Sequence, residues 1–308
     1  MFISHKLSIS FKQITSILFL STVGILQAFQ PQSKGQLVTA VNLWVNNNSS
    51  AVETYGDINT WDVSLITDME EVFGNQCGGC GSFNSDISNW DVSNVTNMRA
   101  MFSYAGSFNQ DISGWDMSSV TQIDWMFHRA GSFNCDLSDW DVSNVYLMGA
   151  AFHRAWSFNG DVSDWDVSNV TEMGGMFNDA GNFNQDISSW DVSNVEQMGA
   201  MFRDSNFNQD ISSWDVSSVL RIHQMFMDSP FNQDISSWDV SNVTNMSHLF
   251  KNAGNYNQDI SSWDVSNVTD MYMMFYSATS FNQDISSWDV SSVTNMGEMF
   301  TNNALSDE

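Results

Sequence analysis

The side chains with the greatest capacity for chemistry are aspartates, and they fall in two columns. One runs Asp57, Asp86, Asp111, Asp136, Asp161, Asp186, Asp210, Asp234, Asp259 and Asp284. The other runs Asp62, Asp91, Asp116, Asp141, Asp166, Asp191, Asp215, Asp239, Asp264 and Asp289. Together they hold 20 of the 36 acidic residues. Carboxylates repeated in this way suit three tasks. They can close turns by accepting backbone N–H groups. They can gather divalent cations, since Asn184, Asp186 and Ser188 offer oxygens at alternate positions, as calcium loops do. The invariant glycine and terminal glutamate of an EF-hand are missing, however, and so is the glycine-rich pattern of stacked calcium repeats. They can also present an acidic surface to a cationic protein or a glycan. Turn capping is the first reading of the first column, with calcium binding by its members from Asp86 to Asp284 as the alternative. The second column, between Trp and Val, reads as a partner-binding ladder on an exposed sheet face. Neighbouring carboxylates ~4.8 Å apart repel by about 0.9 kcal/mol in water, so something must offset the ladders.

Other chemistry is sparser. His128 and His153 are each followed by Arg and Ala at equivalent positions. With Arg129, Arg154 and Arg203 they make a basic spot on an acidic chain; two histidines seldom suffice for a metal. Cys77-Gly-Gly-Cys80 is a weak zinc signal and reads as a local disulfide in an oxidising compartment. Cys135 stands where most repeats carry Gln and reads as an exposed substitution. No carboxylate pair is set apart as acid and base. No G-x-S-x-G, phosphate loop or dinucleotide fingerprint occurs, so an enzyme is not expected. The sequons at Asn94, Asn169, Asn242 and Asn267 read first as coil geometry and second as glycosylation sites.

The elements that must position these groups are repeats. Trp-Asp recurs from Trp61 to Trp288 at spacings of 29, 25, 25, 25, 25, 24, 24, 25 and 25 residues. Length varies only before the Phe-Asn pair, which marks that segment as a loop. In the unit beginning at Phe183, Val195, Met198, Met201, Phe202 and Ser205 lie three or four apart, which predicts a short helix. Trp190 and Val192 flank Asp191 with period two, which predicts a short strand. Ile187, Trp190, Val192 and Val195 follow the inner-face spacing of leucine-rich repeats. The expected fold is therefore an α/β repeat solenoid of about ten coils, each with one short parallel strand and one short helix. Leu37, Val41, Trp44 and Val45 predict an amphipathic helix over residues 36–50 capping the first coil. The expected divisions are a signal peptide or uncleaved anchor over 1–28, a cap and lead-in over 29–54, and the array over 55–308.

Composition bounds the partners. The formal net charge is -27, from 36 Asp and Glu against 9 Lys and Arg. Nucleic acid needs clustered cations and is excluded as an expectation; cationic partners are favoured. The apolar stretch 14–28 after Lys6 and Lys12 is short for a membrane span and reads as a secretory signal. No membrane-embedded domain is expected, and the protein is expected to be monomeric.

The unit F-N-x-D-I-S-x-W-D-V-S-N-V-T-x-M-x-x-M-F resembles the BspA-like leucine-rich repeat surface proteins and, more narrowly, the DUF285-type repeat of mycoplasma lipoproteins. The likeness covers residues 37–300. It implies an extracellular array tied to adhesion or host contact, and no catalytic residues. The mycoplasma members carry a lipid-attachment cysteine after the signal, and none stands near residue 28 here. The expected function is recognition of a protein or glycan at the cell surface through the acidic ladder. The alternative is a structural surface protein whose aspartates hold calcium.

Overall fold

The computed structural model describes residues 28–75 and 77–305. Residues 1–27, which hold nearly all of the expected signal segment, lie outside that range. Two helices open the described chain. The first, α1 (Lys34–Asn46), starts where the Ser33 hydroxyl accepts the Gln36 N–H. It ends at Asn47, whose side chain accepts the Ser50 N–H and starts α2 (Asn48–Tyr55). The periodicity predicts one helix over this stretch; the Asn47 cap divides it. One face of α1 buries Leu37, Ala40, Val41 and Trp44. Trp44 meets Trp61 of the first repeat edge-on at 5.9 Å, and its indole N–H donates to the Ser85 hydroxyl at 2.9 Å.

The repeats that follow contradict the expected α/β leucine-rich-repeat-like solenoid. Beyond α1 and α2 the described residues hold two short 3-10 turns, Ile58–Thr60 and Cys80–Ser82, and isolated parallel bridges. No coil carries a helix or a strand among the described residues. Each is a chain of tight turns. In the unit from Phe183, the N–H of Trp190, Val195, Met201 and Ser205 returns to the carbonyl three residues back, on Ile187, Val192, Met198 and Phe202. The N–H groups of Met198, Ala200, Phe202 and Asp204 leave the unit instead. They donate to Arg221, His223, Met225 and Met227 of the next unit at 3.1, 2.7, 3.1 and 2.9 Å. An α-helix requires successive N–H groups to point along one axis to carbonyls four residues back. Here alternate N–H groups point along the stack, so no helix closes. Ala200 and Asp204 make this possible by adopting φ of 57° and 54°. The strand half fails for a related reason. Gln197 pairs in parallel with Glu172 and Arg221, but the chain turns on either side and the ladder stops at one residue.

Stacking in register buries the apolar columns. Phe102 and Phe127 stack with centroids 5.5 Å apart and ring planes nearly parallel, as do Phe152 and Phe177. A second Phe column slots beside the first, with Phe102 and Phe108 at 4.1 Å. The Trp column stacks likewise, Trp165 and Trp190 lying 6.3 Å apart. Each Trp also has its polar end satisfied. The Trp214 indole N–H donates to the Ile187 carbonyl of the preceding unit at 3.1 Å, and Trp190 to Val162 at 3.0 Å. A buried indole needs such a partner, and this one ties adjacent units together.

Candidate functional site

Both aspartate columns sit on turns, not on a sheet. Asp186 Oδ1 accepts the Ser188 N–H at 3.0 Å, and Asp191 Oδ1 accepts the Ser193 N–H at 3.1 Å. The same Asp-x-Ser cap recurs along the first column, from Asp86 with Ser88 to Asp284 with Ser286. It recurs along the second from Asp62 with Ser64 to Asp289 with Ser291. The expected exposed sheet face bearing the second column therefore does not exist; its members occupy the corner between two turns. The corner points outward because Trp190 and Val192 on either side are buried. Asp191, Asp215 and Asp239 are exposed, with one oxygen engaged in the cap.

These caps offset the repulsion between carboxylates. The serine hydroxyls beside Asp116, Asp215, Asp264 and Asp289 hold their carboxyls below the usual range. The serine backbone N–H does so first for Asp186, Asp210, Asp259 and Asp284. Each charge is stabilised by donors within its own turn.

The oxygens weighed as calcium ligands do not converge. Asn184 Oδ1 accepts the Asn208 N–H of the next unit at 2.9 Å, and Ser188 is tied to Asp186 through its N–H. The Asn column is thus a ladder of side chain to backbone links, repeated at Asn159 to Asn184 and Asn208 to Asn232. Among the described residues, no group of three or more His, Cys, Asp or Glu is placed to hold a metal ion. The sequon asparagines also bridge units: Asn169 and Asn242 donate through Nδ2 to Ser143 and Ser217 carbonyls at 2.7 and 2.8 Å.

Cys77 and Cys80 are joined by a disulfide, with Cα atoms 5.4 Å apart. Cys135 is half-buried instead of exposed, and that burial pushes its thiol pKa up.

Sequence reasoning missed how strictly the cations are sorted. The repeats contain Arg99, Arg129, Arg154, Arg203, Arg221 and Lys251. All six fall within the eight residues that begin at the bridge position, such as 122–129 or 221–228. His128, His153, His223 and His248 fall in the same segment. The signal was present in the aligned repeats: within this segment the positions around the buried Met-Phe column vary, while the Trp-Asp column ahead of it holds. At residues 104–156 it gathers a cluster. The His128 ring lies 4.7 Å from His153, 4.9 Å from Trp125 and 5.1 Å from Tyr104. Arg129 stands over Tyr104 at 5.1 Å, and Arg154 pairs with Asp179 at 3.1 Å. Burial, with the neighbouring cations, depresses His128 and His153 to about 4. Desolvation raises the carboxyl of Asp124.

A family model described as mycoplasma protein of unknown function, DUF285, matches residues 42–155, 136–230 and 205–307. No curated protein and no solved structure matches the chain.

Proposed function

The chain belongs to the DUF285 family of mycoplasma proteins of unknown function, and from that starting point we propose that it is a non-catalytic recognition protein acting at the cell surface or outside the cell. Its acidic columns bind a cationic protein or glycan. One observation carries this reading. Asp191, Asp215 and Asp239 and their equivalents stay exposed in a regular row, anchored through one oxygen by the turn. Such a row attracts a cationic chain along its whole length. The resemblance to BspA-like surface proteins supports the extracellular placement. Among the described residues, no helix is long and apolar enough to cross a membrane.

The test exploits the cap. Asn accepts the same turn hydrogen bond as Asp but carries no charge, so D191N/D215N/D239N should fold normally. Binding to immobilised poly-lysine and to chitosan oligomers is expected to fall at least tenfold in this variant, and to weaken with salt in the wild type. Unchanged binding in the triple variant would sink the proposal.

A further inference from the structure

Among the described residues nine large apolar side chains are exposed. Four of the nine are aromatic, Tyr104, Trp125, Tyr146 and Trp156, and all four fall within residues 104–156. A single exposed apolar group needs no explanation, but four rings in three adjoining units do. The rings are held in place. Trp125 meets the His128 ring edge-on at 4.9 Å, and Tyr104 meets the same ring from the preceding unit at 5.1 Å. Trp156 covers Gly131, where a Cβ would collide with the indole. The Tyr146 hydroxyl accepts the Gln122 side-chain N–H at 2.9 Å. Rings fixed in advance lose little freedom when a partner docks.

Arg129 stands among them. Arg99, Arg154 and Arg203 each have a carboxylate partner. Arg129 makes no ion pair among the described residues, in a chain with 36 Asp and Glu. Its guanidinium lies 5.1 Å over the Tyr104 ring, and its Nε is buried with no hydrogen-bond partner. Asp124 Oδ2 and His128 Nδ1 are orphaned in the same way, and His128 is only 6% exposed. Buried polar atoms are nearly always paired, so three unpaired ones beside exposed rings call for a partner.

We propose that residues 104–156 form a docking surface for a partner protein, which presents one carboxylate between apolar side chains. The Nε and Nη edge of an arginine takes a carboxylate through two parallel hydrogen bonds. Asp124 Oδ2 accepts a backbone N–H of the same segment. Trp, Tyr and Arg dominate the energetics of protein interfaces, and the rings around Arg129 keep water from the charge pair. One carboxylate fits better than an acidic run, because a net charge of -27 repels a polyanion. The surface uses a different part of each unit from the aspartate columns and does not rest on the function proposed for them.

The array itself supplies the test substitutions. Asn252 and Asn302 occupy the Arg129 position in other units, Ala100, Ala150 and Ala200 the Trp125 position, and Gly131 and Gly181 the Trp156 position. R129N and W125A/W156G are therefore expected to melt close to the wild type. The full chain is panned against phage-displayed random dodecapeptides, and the enriched consensus is synthesised and titrated by calorimetry. That consensus is expected to carry Asp or Glu flanked by aromatic or aliphatic residues. R129N, W125A/W156G and conversion of the peptide carboxylate to its amide should each weaken binding at least tenfold. D191N/D215N/D239N should bind the peptide as the wild type does. No enrichment, a consensus without a carboxylate, or undiminished binding after any of the three changes overturns the proposal. So does a basic consensus lost in the triple Asp variant, which belongs to the columns. Dimerisation of the wild type that R129N abolishes, read by sedimentation velocity, would make the occupant a second copy and likewise overturn it.

Discussion

At the scale of the residue, titration divides the molecule into two groups with separate pH windows. His128 and His153 are neutral in the folded protein down to about pH 4, whereas an unfolded imidazole protonates near 6.5. Below 6.5 the unfolded chain therefore binds more protons, and stability falls as pH drops from 6.5 to 4. Above 6.5 both states are neutral and the pair adds no pH dependence. Burial is the main cause of the depression, Arg129 and Arg154 add to it for both histidines, and Asp179 partly opposes it at His153. The capped aspartates act lower down. For Asp186, Asp210 and Asp215 the folded pKa lies below 3.8, so their stabilisation is full above that value and is lost only as pH falls further. We expect chemical denaturation of H128Q/H153Q to show a flatter pH profile between 6.5 and 4 than the wild type. Profiles that superimpose in that window would refute the histidine assignment.

At the scale of the element, the unit is a sequence of turns whose left-handed residues recur in two columns. One passes through Ala100, Trp125, Ala150, Gly175 and Ala200; the other through Tyr104, Arg129, Arg154, Asp179 and Asp204. These residues redirect alternate N–H groups into the next unit, which is why strain is tolerated at every repeat. Gly175 shows what the geometry prefers. A Cβ there would meet nothing nearer than 3.9 Å, yet φ is 65°. G175A should therefore lower unfolding free energy by roughly 1 kcal/mol through strain alone, and A200G should leave stability unchanged or raise it. A helix in this segment would give the reverse order, because Gly weakens a helix interior. Urea melts of the two variants decide between them.

At the scale of the whole molecule, stability is a sum over neighbouring units plus a long-range charge term. The net charge of -27 works against compactness. Sodium chloride should raise the melting temperature by screening the columns. Since one oxygen of each aspartate is engaged in its turn and no group of three or more His, Cys, Asp or Glu among the described residues is placed to hold a metal ion, calcium should do no more than sodium chloride at matched ionic strength. A calcium-specific rise of several degrees in a circular dichroism melt would restore the cation-holding reading.

The sequence by itself determined the repeat length, the columns and their burial. Trp190, Val192, Val195, Met198, Met201 and Phe202 are all inward, as their periodicities require, because one unit cannot hide such side chains without neighbours. It also placed an amphipathic helix ahead of the first repeat. Only tertiary structure decided what backbone those columns hang on. Spacings of three and four fit a helix and a series of i to i−3 turns equally well. The difference lies in where alternate N–H groups donate, and their acceptors are about 25 residues away in the next unit. The same long-range pairing turned the expected sheet-face ladder into a row of turn corners. It also brought Tyr104, Trp125, His128 and His153, drawn from three successive units, into one cluster that no local pattern announces.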